Sequence, residues 1–410
     1  MVNVAIMGHG VVGSGVAEIL LNNRQHIAEK TKEDVHIQYI LDLRDFDTLA
    51  YSNKFIKDFN IILEDASVKV VAEVMGGLHP AYDYVKQCLA AGKSVVTSNK
   101  ELVAAKGAEL LALAEEKNVN FLFEASVGGG IPVLRPMAQC LAANNLLEVT
   151  GILNGTTNFI MTKMIREDMS FDDALALAQK RGYAERDPSA DVDGHDACRK
   201  ICILASLAFG QHVYPEQVHT EGISNITHAD VAYAAACGRV IKLIGHAKTA
   251  ENGQIFATVY PALLEKSHPL AGVEGVFNAI LIRGDYIGEV MFYGPGAGKL
   301  PTASAVVADI IDCVKHLQAR KFLKWEAGSA DYVADMQEDT VRLFVRAYAR
   351  DKAAAKEEAK AVFEDLEIIT RQDEKPDVLA FITPKGQEKQ LRRKLASLSR
   401  CEAESVIHLL

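Results

Sequence analysis

The chain of 410 residues has one tryptophan, eleven prolines and aromatics at only 7%, and no apolar stretch longer than residues 201–209. A run that short cannot span a bilayer, so no membrane helix is expected. Positive charge is also scarce: 44 Lys and Arg stand against 54 Asp and Glu, a net charge of -10. Such a chain has no general field to attract a phosphate backbone, which excludes nucleic acid as an expected partner. The opening MVNVAIMGHG has neither a basic segment nor a small-residue cleavage site, and a cytoplasmic location is expected. Seven cysteines (88, 140, 198, 202, 237, 313 and 401) are scattered without a C-x-x-C pair, and their odd number excludes a complete disulfide framework. Cys198 and Cys202, one helical turn apart and without nearby paired ligands, read as half-buried small residues.

Hydrophobic residues at 49% and charged residues at 24% give the balance of a folded globular protein of two or three domains. The first third alternates strand and helix. Residues 2–7 are rich in Val and Ile, then Gly8-His9-Gly10-Val11-Val12-Gly13 opens a helical pattern through Asn22. Strands are predicted at 35–43, 68–74, 94–97 and 119–123, with helices at 79–91 and 101–117. This alternation predicts a parallel sheet with helices on both faces. Gly128-Gly129-Gly130-Ile131-Pro132 is a break before a long helical segment. Beyond it, helices at 171–181, 193–208 and 228–242 mix with strands at 149–153, 255–259, 276–282 and 286–292, an α+β pattern with an antiparallel sheet. A second Gly-rich turn at 294–298 precedes a helix at 302–316. The tail then reads strand, helix, strand, strand, helix, strand from residue 341, a small ferredoxin-like module joined through the polar stretch 330–339.

The fold class expected is therefore α/β: an N-terminal Rossmann-type parallel sheet over residues 1–126, to which a helix at about 301–318 returns, an α+β substrate and dimerisation domain over 127–300, and a C-terminal βαββαβ module over 340–410.

Two constellations carry chemistry. A G-x-G-x-x-G string alone is weak, but here it follows a strand and opens a helix. The glycines then allow a tight turn and close approach of a dinucleotide pyrophosphate to free helix amides. The usual spacing of about 20 residues to a ribose-binding acid lands on Glu33 or Asp34, before the second strand. If residues 25–34 lengthen the loop, the relevant residues are Asp42, Arg44 and Asp45 at that strand's end. An acid there favours NAD and an arginine accepts the 2′-phosphate of NADP, so both cofactors stay open.

The second constellation is GYAERDPSADVDGHDACRK at 182–200, which gathers carboxylates at 185, 187, 191, 193 and 196 and a lysine at 200. With a helix starting near Asp193, Asp196 and Lys200 share a face, and the apolar residues after them bury the helix body. A partly buried lysine beside carboxylates can pass a proton, and spare carboxylates can grip a substrate ammonium. The same residues also fit an acidic cluster at a helix N-terminus with an ordinary i, i+4 ion pair.

This stretch resembles the homoserine dehydrogenases, and further marks of that family stand in order: GHGVVGSGV at 8–16, EVMGG at 73–77, VVTSNKELVAAKG at 95–107, FEASVGGGIPVLRP at 123–136, GILNGTTNFI at 151–160 and GPGAGKLPTASAVVADI at 294–310. The resemblance implies reversible hydride transfer between NAD(P) and L-homoserine or L-aspartate 4-semialdehyde. It implies Lys200 and Lys100 as catalytic residues, Lys200 as the proton donor and Lys100 near both nicotinamide and substrate, and Glu185 and Asp196 on the substrate's polar groups. It places Gly8, Gly10, Val11, Val12, Gly13, Arg44, Ser98, Lys100 and Gly298 on the cofactor. It also implies a monovalent cation, Na or K, on oxygens of Glu124, Val127, Gly129 and Ile131; read from the residues alone, those glycines are a hinge. The tail resembles an ACT module, which implies assembly as a homodimer or homotetramer and an amino-acid effector such as threonine. Here Arg350-Asp351-Lys352-Ala353 replaces the Pro-Gly-Val-Leu turn that presents backbone to such a ligand. After Arg44-Asp45, Phe46-Asp47-Thr48 does not continue the family's basic run. Ser98 stands where alanine is common, and Gly128-Gly129 where an alanine often intervenes. Two other readings compete: a dehydrogenase of another amino-acid semialdehyde, and a non-catalytic nicotinamide sensor with an ACT output domain.

Overall fold

The computed structural model describes residues 1–321 and 323–410. The chain divides into two compact units, one of residues 1–147, 202–215 and 282–329, the other of 148–201, 216–281 and 330–410.

In the first unit, β1 (Val2–Met7), α1 (Val11–Asn22), α2 (Arg24–Thr31), β2 (Val35–Leu41), β3 (Phe55–Ile56), α3 (Asn60–Glu64), β4 (Val68–Glu73), α4 (Ala81–Ala90), β5 (Ser94–Thr97), α5 (Lys100–Glu116), β6 (Phe121–Leu122) and α6 (Leu134–Gln139) follow one another. All six strands are parallel, in the order β3-β2-β1-β4-β5-β6. Strands covered on both faces must be apolar throughout, and β5 is buried at every position. The later helix α12 (Lys299–Lys315) packs its Ala303, Val306, Val307 and Ile310 into the same core as Val4, Ile6, Val16 and Leu20.

The segment 25–34, read from sequence as a lengthened loop, is instead mostly helix α2, closed by Lys32 at φ 60. Only Ile27 and Thr31 of α2 are buried, so its apolar periodicity is too thin to see in the sequence. The long helix expected after Pro132 is only the six residues of α6.

The second unit carries β7 (Leu146–Ile152), α7 (Gly155–Glu167), α8 (Phe171–Lys180), α9 (Ser189–Val192), α10 (His195–Phe209), β8 (His219–Thr220), α11 (His228–Ala236), β9 (Arg239–Thr249), β10 (Ile255–Glu265) and β11 (Phe277–Gly284), of which β7, α10 and β11 run into the first unit's residues at 146–147, 202–209 and 282–284. β12 (Gly288–Pro295) lies in the first unit's residues. β13 (Thr340–Val341), β14 (Leu343–Tyr348), α13 (Lys352–Val362), β15 (Glu367–Ile369), β16 (Val378–Ile382), β17 (Gly386–Gln387), α14 (Glu388–Ala396) and β18 (Glu402–Leu409) complete the chain. Residues 237–242, read as the end of a helix, belong to a break and a strand: Gly238 takes φ +72, where a side chain is strained, and β9 follows.

β7, β9 and β10 pair antiparallel, but β8 and β18 run parallel to β10, so the sheet expected to be antiparallel is mixed, and β9 was not among the predicted strands. Apart from the short β13–β17 pair, the tail does not form a sheet of its own: β18 pairs in parallel with β10, and the order runs β7-β9-β10-β18-β14-β16-β15. Pairing in this way covers hydrogen-bonding edges that would otherwise be open on both partners. Behind β14 and β16, Ala355, Ala359, Phe363 and Leu391 close a separate core. Among the described residues, no helix is long and apolar enough to cross a membrane.

Lys242, on β9, is 1% exposed, and its ammonium is held only by neutral oxygens, Val273 O at 2.6 Å and Asn158 Oδ1 at 3.1 Å. Burial lowers its pKa from 10.5 to about 8. The unfolded chain therefore binds more protons between these values, and raising pH from 8 toward 10.5 favours the fold, by about 3 kcal/mol at most. Urea unfolding of wild type and Lys242→Met at pH 8 and pH 10 should show wild type gaining on the variant as pH rises; an unchanged difference would mean that Lys242 is hydrated.

Candidate active site

On the first unit, β1 ends at Met7 and the chain turns through Gly8 at φ +98, whose amide donates to Leu41 O at 2.8 Å. A Cβ on Gly13 would lie 2.0 Å from Gly8 O, so this turn closes only on glycine. Gly10 is different: it is the N-cap of α1, and a Cβ there would meet nothing within 4 Å. No side chain caps α1 and no acid sits in its first turn, so the amides of the first turn, Val11 and Val12 among them, present an uncompensated positive end to an anion. Gly298, at φ +128, is the N-cap of α12. The start of α12 is close to α1, because a Cβ on Gly15 would stand 2.9 Å from Lys299 O.

Of the three candidates at the end of β2, Asp42 and Arg44 come together. Both Asp42 oxygens accept from the Arg44 guanidinium, at 2.9 and 2.8 Å, and Asp42 also accepts from Arg44 N and from His9 N of the glycine turn. The guanidinium, with these backbone donors, holds the Asp42 carboxyl well below the usual carboxylate range. Arg44 lies over the Phe46 ring at 5.2 Å, while Asp45 turns to Lys57 at 2.6 Å.

Ser98 and Lys100 stand at the end of β5 and the start of α5, where Asn99 caps the helix by accepting from Leu102 N. Sequence reading missed what fixes this corner. Glu73, fully buried at the end of β4, accepts from Thr97 Oγ1 at 2.6 Å and from Met75 N at 2.8 Å. Thr97 Oγ1 accepts in turn from Asn99 N, and Asn99 Nδ2 donates to Gly77 O at 2.6 Å. Burial pushes the Glu73 carboxyl up. The signal was available as a lone acid ending a central strand that is apolar apart from the exposed Lys69.

The proposed cation ligands also lie on the first unit. The Glu124 carboxylate is committed: it accepts from Val133 N at 2.6 Å, Leu134 N at 2.8 Å and Arg135 N at 2.7 Å, capping α6. Nearby, Asp309 accepts from Glu124 N and pairs with Arg135. Burial, with Glu124 beside it, raises the Asp309 carboxyl to about 7. Among the described residues no group of three or more His, Cys, Asp or Glu could hold a metal, so an ion here would depend on carbonyl oxygens.

The lysine group lies on the second unit. Gly194, at φ +86, turns the chain into α10, and Asp196 and Lys200 face the same way one turn apart. Lys200 Nζ donates to Asp196 Oδ2 at 2.6 Å and to Leu153 O at 2.7 Å, with both side chains nearly buried. Ile201, Cys202, Ile203 and Leu204 bury the helix body. This is more than a solvated surface pair: the ammonium has lost water and gained a carboxylate and a carbonyl. Asp196 Oδ2 also accepts from Asn154 Nδ2 at 2.8 Å. Neither Leu153 nor Asn154 was singled out from the sequence, although an Asn directly after a strand and before a helical run is an N-cap signal. Glu185 lies exposed on the loop before α9, its carbonyl accepting from Gln179 Nε2.

Comparison with known proteins identifies the family of the chain. The family model "Homoserine dehydrogenase, NAD binding domain" matches residues 8–124, and "Homoserine dehydrogenase" matches 132–311. The chain is 44% identical to a homoserine dehydrogenase of Lactococcus lactis over 320 residues, 77% of this chain and 74% of that one. It is similar to the crystal structure of a homoserine dehydrogenase from Thiobacillus denitrificans, with a TM-score of 0.89 and 34% identity over 100% of this chain and 98% of that one. It is also similar to a hyperthermophilic archaeal homoserine dehydrogenase mutant in complex with NADPH, with a TM-score of 0.64 and 32% identity over 76% of this chain and 97% of that one.

Open space at Gly10 and a close approach at Gly13 allow substitutions there to test cofactor binding apart from folding. Gly10→Ala should keep its thermal midpoint and lose at least tenfold in dinucleotide affinity, whereas Gly13→Ala should lose both. Fluorescence titration with NADPH and NADH beside thermal melts reads this out, and full affinity in Gly10→Ala would exclude close approach of the cofactor at that residue.

Proposed function

From the premise that this chain belongs to the homoserine dehydrogenase family of NAD(P)-dependent oxidoreductases, we propose that Lys200 is the proton donor in its interconversion of L-homoserine and L-aspartate 4-semialdehyde. The observation that carries the reading is the nearly buried Lys200 ammonium, gripped by Asp196 and the Leu153 carbonyl. A bound reduced nicotinamide supplies the hydride for the aldehyde carbon. Negative charge then builds on the aldehyde oxygen, and Lys200 stabilises it and gives up a proton, leaving neutral amine and alcohol. In the oxidation of homoserine the same amine, now neutral, takes the hydroxyl proton. Glu185 and Asp196 supply carboxylate oxygens to the substrate's polar groups.

Gly8, Gly10, Val11, Val12, Gly13, Ser98, Lys100 and Gly298 line the dinucleotide in this reading. Lys100 serves as a second catalytic cation from the start of α5. The open cradle at Gly10 and the bare N-terminus of α1 support the dinucleotide site. Arg44 would take the 2′-phosphate of NADP, and Asp42, already holding that arginine, would keep NAD acceptable. For a monovalent cation, Na or K, the donors are carbonyl oxygens of Glu124, Val127, Gly129 and Ile131, because the Glu124 carboxylate is engaged elsewhere. The βαββαβ tail is read as an ACT module serving assembly into a homodimer or homotetramer. In its first loop Asp351 Oδ1 accepts from Ala354 N and so starts α13 directly.

Lys200→Met should lower kcat about a thousandfold in both directions while leaving dinucleotide affinity within twofold of wild type. Initial rates with titrations check this, and retained turnover would end the assignment. Arg44→Ala should raise KM for NADP about tenfold and leave KM for NAD nearly unchanged, as loss of a charge-assisted contact requires. Equal effects on both cofactors would remove Arg44 from the 2′-phosphate.

A further inference from the structure

Helix N-caps need one side-chain oxygen, and Ser, Thr, Asp or Asn supply it about equally well. Asn154 meets that need at the start of α7: its Oδ1 accepts from Thr157 N at 2.8 Å and from Thr157 Oγ1 at 3.0 Å. The other end of the same amide does something no other cap residue could do. Its Nδ2 donates to Asp191 Oδ1 at 2.7 Å and to Asp196 Oδ2 at 2.8 Å, reaching carboxylates 37 and 42 residues away in the chain. Asp196 Oδ2 is also the atom that accepts from Lys200 Nζ, and Leu153, the residue just before Asn154, offers Lys200 its carbonyl. Two consecutive residues at the junction of β7 and α7 thus hold the lysine and its carboxylate together. Asn154 is 5% exposed, so this amide has little water to fall back on.

We infer that Asn154 is a positioning residue for the proton transfer: its neutral amide separates Asp191 from Asp196, orients Asp196, and through Asp196 aims the ammonium of Lys200. The inference rests on the reading of Lys200 as the proton donor. Serine at 154 would cap α7 but is too short to donate to both carboxylates. Aspartate would also cap α7, but it would set a third negative charge against Asp191 and Asp196 where the amide now donates. That charge favours the ammonium form of Lys200. Homoserine oxidation needs the neutral amine, so its alkaline rise in kcat/KM should move to higher pH.

The experiment compares wild type, Asn154→Ser, Asn154→Asp and Lys200→Met by homoserine oxidation rates from pH 6 to 11, with thermal melts and dinucleotide titrations. Expected are dinucleotide affinities near wild type in both Asn154 variants, with a thermal midpoint near wild type in Asn154→Ser and a lowered one, folding retained, in Asn154→Asp, where the added charge meets two others. Asn154→Ser should lose at least tenfold in kcat, a larger change than in KM, because small misplacement of a catalytic group is costly. Asn154→Asp should displace the alkaline rise upward by about one pH unit. Wild-type kcat in the serine variant and an unmoved rise in the aspartate variant, with Lys200→Met inactive, would overturn the role of Asn154 alone. Loss of folding in both Asn154 variants would overturn it too, since the residue would then matter for stability only. Turnover in Lys200→Met would instead overturn the reading beneath it.

Discussion

A charged amine withdrawn from water must be given back what water supplied, and the second unit shows this done in two ways. Lys242 receives only neutral oxygens, from Asn158 and Val273, and its proton is held weakly as a result. Lys200 receives a full carboxylate and a carbonyl, and the carboxylate is itself held by an amide. The local architecture follows from that second arrangement: the left-handed turn at Gly194, the start of α10 and the junction of β7 with α7 must all meet at one ammonium. The apolar residues after Lys200 anchor the helix so that the polar start keeps its place. Charge placement and core packing are therefore one constraint, written along one helix.

The first unit answers a different demand with parallel strands. Their carboxyl ends all open at one edge, where side chains and amides from separate loops can be brought together. Glu73, Thr97 and Asn99 tie two of these loops into a fixed corner, and Asp42 ties the end of β2 to the glycine turn through His9 N. Each tie is an acid, fully buried in Glu73 and partly buried in Asp42, that accepts from several donors, which is how a loop edge gains the rigidity that a dinucleotide requires.

Much of this was legible in the sequence because it is written in short-range pattern. The glycine turn, the alternation of strands and helices, and the pairing of Asp196 with Lys200 all follow from spacing alone. What was hidden has a common cause. Helix α2 buries too few residues to show a period, and β9 follows α11 across a two-residue break with no change in apolar content. The partnerships of Asn154 and of Glu73 join residues more than twenty positions apart, and residue type does not announce them. The commitment of Glu124 to the amides of α6 likewise depends on a chain reversal that its neighbours in sequence do not reveal.

The parallel pairing of β18 with β10 gives Glu402–Leu409 an architectural duty. β18 lies between β10 on one side and β14 on the other, so it is a shared wall and not an appendage. Without this strand both neighbours carry unpaired amides and carbonyls. Loss of β18 therefore opens two seams within the second unit, one on β10 and one on β14, and a single strand governs the continuity of the whole sheet there.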